Sequence, residues 1–261
     1  MRGDVNAVGL VSSLLLVAVA VAISAWQRLG LGAGIAWASV RAIGQLLLVG
    51  LALRYVLRPD RSIVLAWLWV VAMVLFAAET LHRRAPQVPG ARPLGIASFA
   101  ASGAVVLGTL FGLHIFPLEA RTLVPIAGMV VGNSMTATVV VGRRIVEELT
   151  ERRELVEARL ALGKSAAEAA RPHVRTALRT ALSPSIESTK AVGLVFLPGA
   201  MTGLILAGVD PGDAVMVQAV VMYMILGATA ATTTVIALGL QRRLFTSDHR
   251  LIRIPRTAER R

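Results

Sequence analysis

Residues 123–163 read LVPIAGMVVGNSMTATVVVGRRIVEELTERRELVEARLALG. The first nineteen, Leu123 to Val141, carry no charge; the rest is thick with Arg and Glu. An uncharged run of this length reads as a membrane-spanning helix. The charged part keeps a helical pattern, with Ile145, Leu149, Val156 and Leu160 on one stripe. Arg144/Glu148, Glu148/Arg152 and Arg153/Glu157 form i,i+4 opposite-charge pairs, expected on the wet side. Gly163 is placed to end that helix in a left-handed turn. Ser165 with Glu168 three residues on has the capping-box pattern that starts a second helix, expected to be interrupted near Pro172. From Arg143 to Lys190 the chain holds ten Lys/Arg and seven Glu, between long apolar runs on both sides.

Working outward, composition agrees with a membrane protein. The 261 residues are 56% hydrophobic and 16% charged, with a mean hydropathy of +0.70. No period-two alternation accompanies the apolar runs, so helices rather than a barrel satisfy the backbone in lipid. The expected fold is an all-α polytopic membrane protein of about seven spans. These are Val5–Trp26, Gly34–Val56, Ile63–Leu81, Leu94–Phe116, Leu123–Val141, Ala191–Val209 and Ala214–Leu240. One transmembrane domain covers residues 1–261, with a helical insert at 143–190 between spans five and six and a basic tail at 241–261. The Val5–Trp26 run is too long for the core of a signal peptide, and Arg2 is offset by Asp4, so it reads as a retained span. Pro125 and Pro198 fall inside spans five and six, where a bend would line a cavity.

The net charge is +12. The basic residues sit between spans, as the positive-inside rule expects, so nucleic acid is not the expected partner. Placing insert and tail in the cytosol puts 21 Lys/Arg inside and five outside, with Arg41 inside span two. That predicts the N-terminus outside and the C-terminus cytosolic. The three Arg after span two are discordant. With no cysteine, disulfides and thiolate metal sites are excluded.

Polar residues within spans are the candidates for a translocation path. Arg41 and Gln45 share one face of span two, as cavity contacts or as hydrogen-bond anchors to another helix. In span five, Gly128 and Gly132 have the small-xxx-small spacing of close helix packing, and Asn133 and Ser134 add polar atoms there. Met129, Met135 and Met201 read as soft lining or as core filler. Glu79 and His82 are an i,i+3 pair of weak metal-ligating character; pairing of Glu79 with Arg83 is the plainer reading. No G-x-x-x-x-G-K-[ST] phosphate loop is present, so this chain is not expected to hydrolyse ATP. Paired carboxylates or a Ser/His constellation are also missing from the spans, so an intramembrane enzyme is not expected.

Three blocks carry a family resemblance: Arg41-Ala-Ile-Gly-Gln45-Leu, Pro125-Ile-Ala-Gly-Met-Val-Val-Gly-Asn-Ser-Met135, and Lys190-Ala-Val-Gly-Leu-Val-Phe-Leu-Pro-Gly-Ala-Met-Thr-Gly203 continuing to Ala207-Gly-Val-Asp-Pro211. With these the sequence resembles the FetB-type family of ABC transporter permeases, linked to bacterial iron export and broadly including the plant aluminium-sensitivity permeases. The resemblance implies a homodimer of permeases in the bacterial inner membrane. It implies export of iron, another metal or its chelate, driven by ATP and Mg on two cytosolic ATPase subunits. No cofactor is implied in this chain. The resemblance also offers a partner for the insert, which by spacing alone is either a docking element or an idle hairpin. Against the general docking motif E-A-A-x3-G-x9-I-x-L-P, Glu157, Ala158 and Gly163 match. Arg159 replaces the second Ala, His173 stands in the Ile position, and the proline comes late, at Pro184. The implied contact element is Glu157–Ala170, with Lys164 and Ala167 inside it. The competing expectation is an ion-coupled carrier of a small solute, which needs an intramembrane carboxylate.

Overall fold

A computed structural model describes residues 7–58, 60–193, 197–246, 248 and 250–252. The named elements among these residues are all helices, and Phe245 and Leu251 form an isolated antiparallel bridge. Two compact units divide the chain at Arg61/Ser62.

The first unit is a helical hairpin of α1 (Ala7–Trp26) and α2 (Gly32–Val56). Gly30, at φ +69°, supports the tight connection. The Leu31 amide donates to Ser24 Oγ at 3.1 Å, which satisfies a buried hydroxyl. Both helices are apolar, α1 from Ser12 to Trp26 and α2 along its 25 residues. Residues 5 and 6 of the expected first span lie outside the described residues.

The second unit contains α3 (Ile63–Arg84), α4 (Ala91–Gly112), α5 (Ala120–Glu151), α6 (Arg153–Ala161), α7 (Ala166–Ala191), α8 (Gly199–Leu206) and α9 (Pro211–Leu244). Helix α5 is central, packing on α3, α4, α7 and α9. Small residues set the spacing: a Cβ on Gly95 of α4 would lie 2.9 Å from the Ala78 Cα of α3. A polar tie joins α4 to α9, where Ser102 Oγ donates to the Ala228 carbonyl at 3.1 Å.

Among the described residues five helices are long and apolar enough to cross a membrane: α2, α3, α4, α5 and α9. The expected span at Ala191–Val209 is not one helix. Gly193 takes φ +85°, outside the right-handed helix, and Pro198, which lacks an amide hydrogen, caps a separate eight-residue α8. Pro198 therefore bends nothing; it starts a helix. Pro125, by contrast, is accommodated inside α5, one turn from its start.

Two helices overrun any bilayer. At 1.5 Å per residue the 32-residue α5 is ~48 Å long and the 34-residue α9 ~51 Å, against a hydrocarbon core of ~30 Å. The overrun carries the buried core past the uncharged segments. Ile145, Val146 and Leu149 from α5 meet Leu240 and Leu244 from α9, Val156 from α6, and Ala169, Val174, Ala177 and Ala181 from α7. Leu81, Ala85, Val88 and Ala91, between α3 and α4, close it. The charged insert is therefore a packed element and not a solvated loop. Its helices also differ in extent from the sequence reading. The first breaks at Arg152 instead of running to Leu162, and α7 passes through Pro172 and Pro184 without interruption. Pro172 removes the helical donor only from the carbonyl of Glu168, an exposed residue.

Candidate functional site

Two features of the second unit combine polar chemistry with access. The first is a cavity of about 360 Å³ walled by α5, α7 and α9, with Pro198 at its edge. On α5 the exposed residues Asn133 and Thr136 face it, followed by half-buried Val140 one turn on. Helix α7 supplies Ser185, Ser188 and Thr189; α9 supplies Gln218 and Met222. Gln218 is 4% exposed, and its Oε1 accepts the Met201 amide of α8 at 3.2 Å. Asn133 Nδ2 donates to the Met129 carbonyl at 2.8 Å, which leaves its amide oxygen as an acceptor facing the cavity. The named polar lining is amide and hydroxyl, neutral and bipolar. Such a lining can hydrogen-bond a polar ligand but offers no carboxylate or imidazole to a naked cation.

The sequence candidates distribute unevenly around it. Asn133 lines the cavity, and Met201 reaches it through its backbone bond to Gln218. Ser134 is buried and donates to its own helix at Val130 O, 2.6 Å. Met135 packs with Ala77, Phe99 and Val131, as core filler. Met129 is half-buried and contributes its carbonyl. Arg41 and Gln45 are exposed on α2, in the first unit. Glu79 is held by Arg83 Nε at 2.8 Å and Arg92 Nε at 2.7 Å. Two guanidinium groups thus occupy the carboxylate that a metal shared with His82 would need. Among the described residues no three His, Asp or Glu side chains gather as a metal site. Thr136, Gln218 and the α7 hydroxyls were not singled out from sequence. A hydroxyl inside an apolar or Ala-rich helix usually bonds its own backbone, as Thr189 does to Ser185 O at 2.8 Å, and gives no sequence signal of a cavity.

The second feature is the tip joining α6 to α7. Glu157, Ala158, Gly163, Lys164 and Ala167 are all exposed there. Leu155 and Leu162 present apolar side chains at 53% and 80% exposure. The turn is a Schellman closure: Lys164 N donates to Arg159 O at 3.2 Å, Gly163 N to Leu160 O at 2.9 Å, and Gly163 has φ +80°. Ser165 then caps α7 reciprocally. Its Oγ accepts the Glu168 amide at 3.3 Å, and its own amide donates to Glu168 Oε2 at 3.0 Å. Ser165 Oγ also donates to Glu168 Oε2 at 2.8 Å, and that bond, with the one from the Ser165 amide, holds the Glu168 carboxyl below the usual carboxylate range.

Behind the tip lies a buried charge cluster. Glu148, 6% exposed, accepts from Arg144 Nη2 at 2.8 Å, lies 3.6 Å from Arg152 Nε, and meets His173 Nδ1 of α7 at 3.4 Å. The expected i,i+4 pairs exist, but Glu148 faces inward rather than to water because α7 covers it. The residue in the motif's Ile position, His173, is the one that covers it.

Residues 7–245 match the family described as "Uncharacterised protein family (UPF0014)". The chain belongs to the UPF0014 family. Three relatives show its range. The UPF0014 membrane protein STAR2 of Oryza sativa subsp. japonica is 40% identical over 85% of this chain and 78% of its own. The protein ALUMINUM SENSITIVE 3 of Arabidopsis thaliana is 36% identical over 85% and 81%. The probable iron export permease protein FetB of Escherichia coli (strain K12) is 33% identical over 92% of both chains. The expected resemblance to FetB-type and aluminium-sensitivity proteins is met. No solved structure matches the chain. The UPF0014 match spans both units, so the α1–α2 hairpin belongs to the family pattern along with the cavity and the tip.

Proposed function

We propose that this UPF0014 protein is the membrane permease subunit of an ABC exporter, moving iron, another metal or its chelate with ATP hydrolysed by a separate cytosolic subunit. The observation that carries the proposal is the α6–α7 tip. It is exposed, its turn is fixed by a left-handed glycine and a capping box, and its helices rest on a buried core instead of on solvent. A short rigid helix with exposed Leu155 and Leu162 is what a groove on a partner can grip. The relative named a probable iron export permease supports the same class. In this reading the insert and the C-terminus are cytosolic, the N-terminus is outside, and two copies assemble in the plasma membrane around two ATPases. An ion-coupled carrier finds less support, because Glu79, the carboxylate it would titrate, is committed to Arg83 and Arg92.

The test is co-expression with a cytosolic ABC ATPase from the same genome and purification on a permease tag. Recovery of the ATPase, loss of that recovery with Ala167→Arg, and raised metal content in cells lacking the permease are the expected results. Undiminished transport after deletion of the ATPase would overturn the proposal.

A further inference from the structure

Helix α3 keeps one apolar face uncovered by the described residues. Val64, Leu68, Val71 and Leu75 are each at least 50% exposed, at spacings of four, three and four, which is one face of a helix. The same face continues through Glu79 to exposed Arg83. Nineteen residues separate Val64 from Arg83, a rise of ~28 Å against a hydrocarbon core of ~30 Å. In a chain that spans a membrane this face lies against acyl chains, and Arg83 falls where the headgroups begin.

Three further guanidinium groups gather at that end. Arg92, in the first turn of α4, is drawn to α3 through Glu79. Its Nε donates to Glu79 Oε2 at 2.7 Å, while Arg83 Nε donates to Oε1 at 2.8 Å. Exposed Ile96 follows Arg92 one turn on, so α4 also sets an apolar side chain below a guanidinium. Arg84 follows Arg83 and is exposed. Arg243 arrives from α9. Leu94 of α4 fits against Gly239 of α9; four residues back along α4 and four on along α9, a Cβ on Gly90 would collide with Arg243 Nη1. Glycine at position 90 therefore admits the Arg243 side chain over the α3–α4 turn.

Four guanidinium groups thus meet one carboxylate. Glu79 takes Nε of both partners and, at 3.4 Å, Nη2 of Arg92. Both Nη groups of Arg83 and Nη1 of Arg92 stay open as donors. Arg84 and Arg243 have no acidic partner among the described residues. Forked, open donors in excess of acid suit phosphate oxygens. Basic clusters at the ends of spans attract anionic headgroups.

We propose that the α3–α4 end of the bundle binds an anionic phospholipid. Arg83 and Arg92 hold its phosphate, Arg84 and Arg243 add positive charge around it, and an acyl chain lies along Leu75 and Val71. The occupant is a lipid and not a soluble anion because the donors end a lipid-facing stripe, and free phosphate would leave that stripe unused. Glu79 is a positioning residue: it sets the two phosphate-binding arginines side by side. The inference requires only that the chain spans a membrane, so it stands or falls separately from the ATPase reading.

The experiment is native mass spectrometry of the full chain released from nanodiscs that hold equal phosphatidylglycerol and phosphatidylcholine. The wild type is expected to retain phosphatidylglycerol about tenfold over phosphatidylcholine. Arg83→Gln combined with Arg92→Gln should bring the two lipids near parity. Arg83→Lys should fall between, because the charge stays and the fork is lost. Arg175→Gln, an exposed arginine of α7, should keep the full preference. Inorganic phosphate should not displace the lipid. No preference in the wild type, or the same preference in the double variant, would overturn the site. An equal loss with Arg175→Gln would reduce the effect to net charge and overturn it too. Displacement by inorganic phosphate would overturn the lipid as occupant. If the double variant fails to fold because Glu79 loses its partners, Arg84→Gln combined with Arg243→Gln decides: the preference should drop about threefold, and no drop would overturn the site.

Discussion

Replacing Gly163 with alanine is a perturbation of the backbone alone. Nothing lies within 4 Å of a Cβ built on that glycine, so the added methyl meets no neighbour. What it meets is its own backbone, because φ +80° is a left-handed conformation. An L-residue there costs about 1–2 kcal/mol. The loss of chain entropy in the unfolded state returns about 0.5 kcal/mol. A net strain of about 1 kcal/mol corresponds to about a fivefold change in an equilibrium constant. The tip is exposed and has little buried surface of its own, so its local opening is the equilibrium that absorbs the strain. ATPase affinity should then fall by up to about fivefold, the full factor being reached where the open tip dominates, while the melting temperature, set by the packed bundle, stays put. Asparagine adds more atoms than alanine but tolerates the left-handed region, so Gly163→Asn should bind within twofold of the parent. Proline forbids the conformation and removes the amide that donates to Leu160 O, so Gly163→Pro should be the most damaging. The assay is a titration of purified ATPase onto the permease in lipid nanodiscs, with melting followed in parallel. If alanine, asparagine and proline weaken binding equally, sterics or bulk matter and the left-handed turn does not. If none weakens it, the tip is not the contact.

Glu148→Ala leaves Arg144, Arg152 and His173 without their shared acceptor; we expect a loss of about 2–3 kcal/mol, at the low end for a buried pair because both arginine heads reach water, read as a drop in melting temperature, with Glu148→Gln losing less. The capping carboxylate of Glu168 sits below its unfolded pKa, so its contribution is present above the unfolded value and lost as pH falls through the lower folded one. Amide exchange over residues 166–169 should therefore rise on acidification, and Glu168→Gln should abolish that dependence. Thr136→Trp fills the α5 wall of the cavity and is expected to cut efflux from loaded vesicles more than tenfold without changing ATPase affinity; normal efflux would show that cargo passes elsewhere. Gly95→Leu drives a side chain into Ala78 and Leu81 and should destabilise the α3–α4 contact by about 1–3 kcal/mol, read by melting in detergent.

Five of the seven expected spans appear among the described residues as helices long and apolar enough to cross a membrane, because a run of apolar residues specifies burial in lipid whatever packs beside it. Where packing decides, sequence periodicity fell short. The Ala191–Val209 segment has span-like composition, yet Gly193 and Pro198 break it, and hydropathy averages over such points. Glu148 has the partners of a surface salt bridge; only the cover of α7, with His173, makes it buried. The capping residues Ser165 and Glu168 were legible since both partners lie three residues apart in one helix. Gln218 and Met201 are seventeen apart and joined through a backbone amide, a contact with no local signature. Arg153 illustrates the same limit: its pairing with Glu157 is helical spacing, whereas its bonds to Leu251 and Ile252 span nearly the whole remaining chain.

In the permease reading the cavity and the docking tip must respond to each other, and two helices already belong to both. Helix α5 lines the cavity with Asn133 and Thr136 and continues without a loop to Glu148, beside the break at Arg152. Helix α7 begins at the Ser165 cap on the tip and reaches the cavity with Ser185 and Ser188. The extensions pack face to face over Ile145, Leu149, Ala177 and Ala181, and Glu148 ties them through His173. A movement imposed at the tip therefore reaches the α7 wall of the cavity with no intervening loop to absorb it, and the α5 wall through the packing of the two helices. The break at Arg152, where φ is −103° and ψ is 29°, is the compliant joint on the α5 side; it lies between tip and lever. Glu148 bridges that joint through Arg152 and also holds α7. Its removal should then do more than destabilise: at temperatures where Glu148→Gln remains folded, ATP hydrolysis should proceed with less cargo moved per turnover. An unchanged ratio would mean that the helices transmit movement through their apolar packing alone.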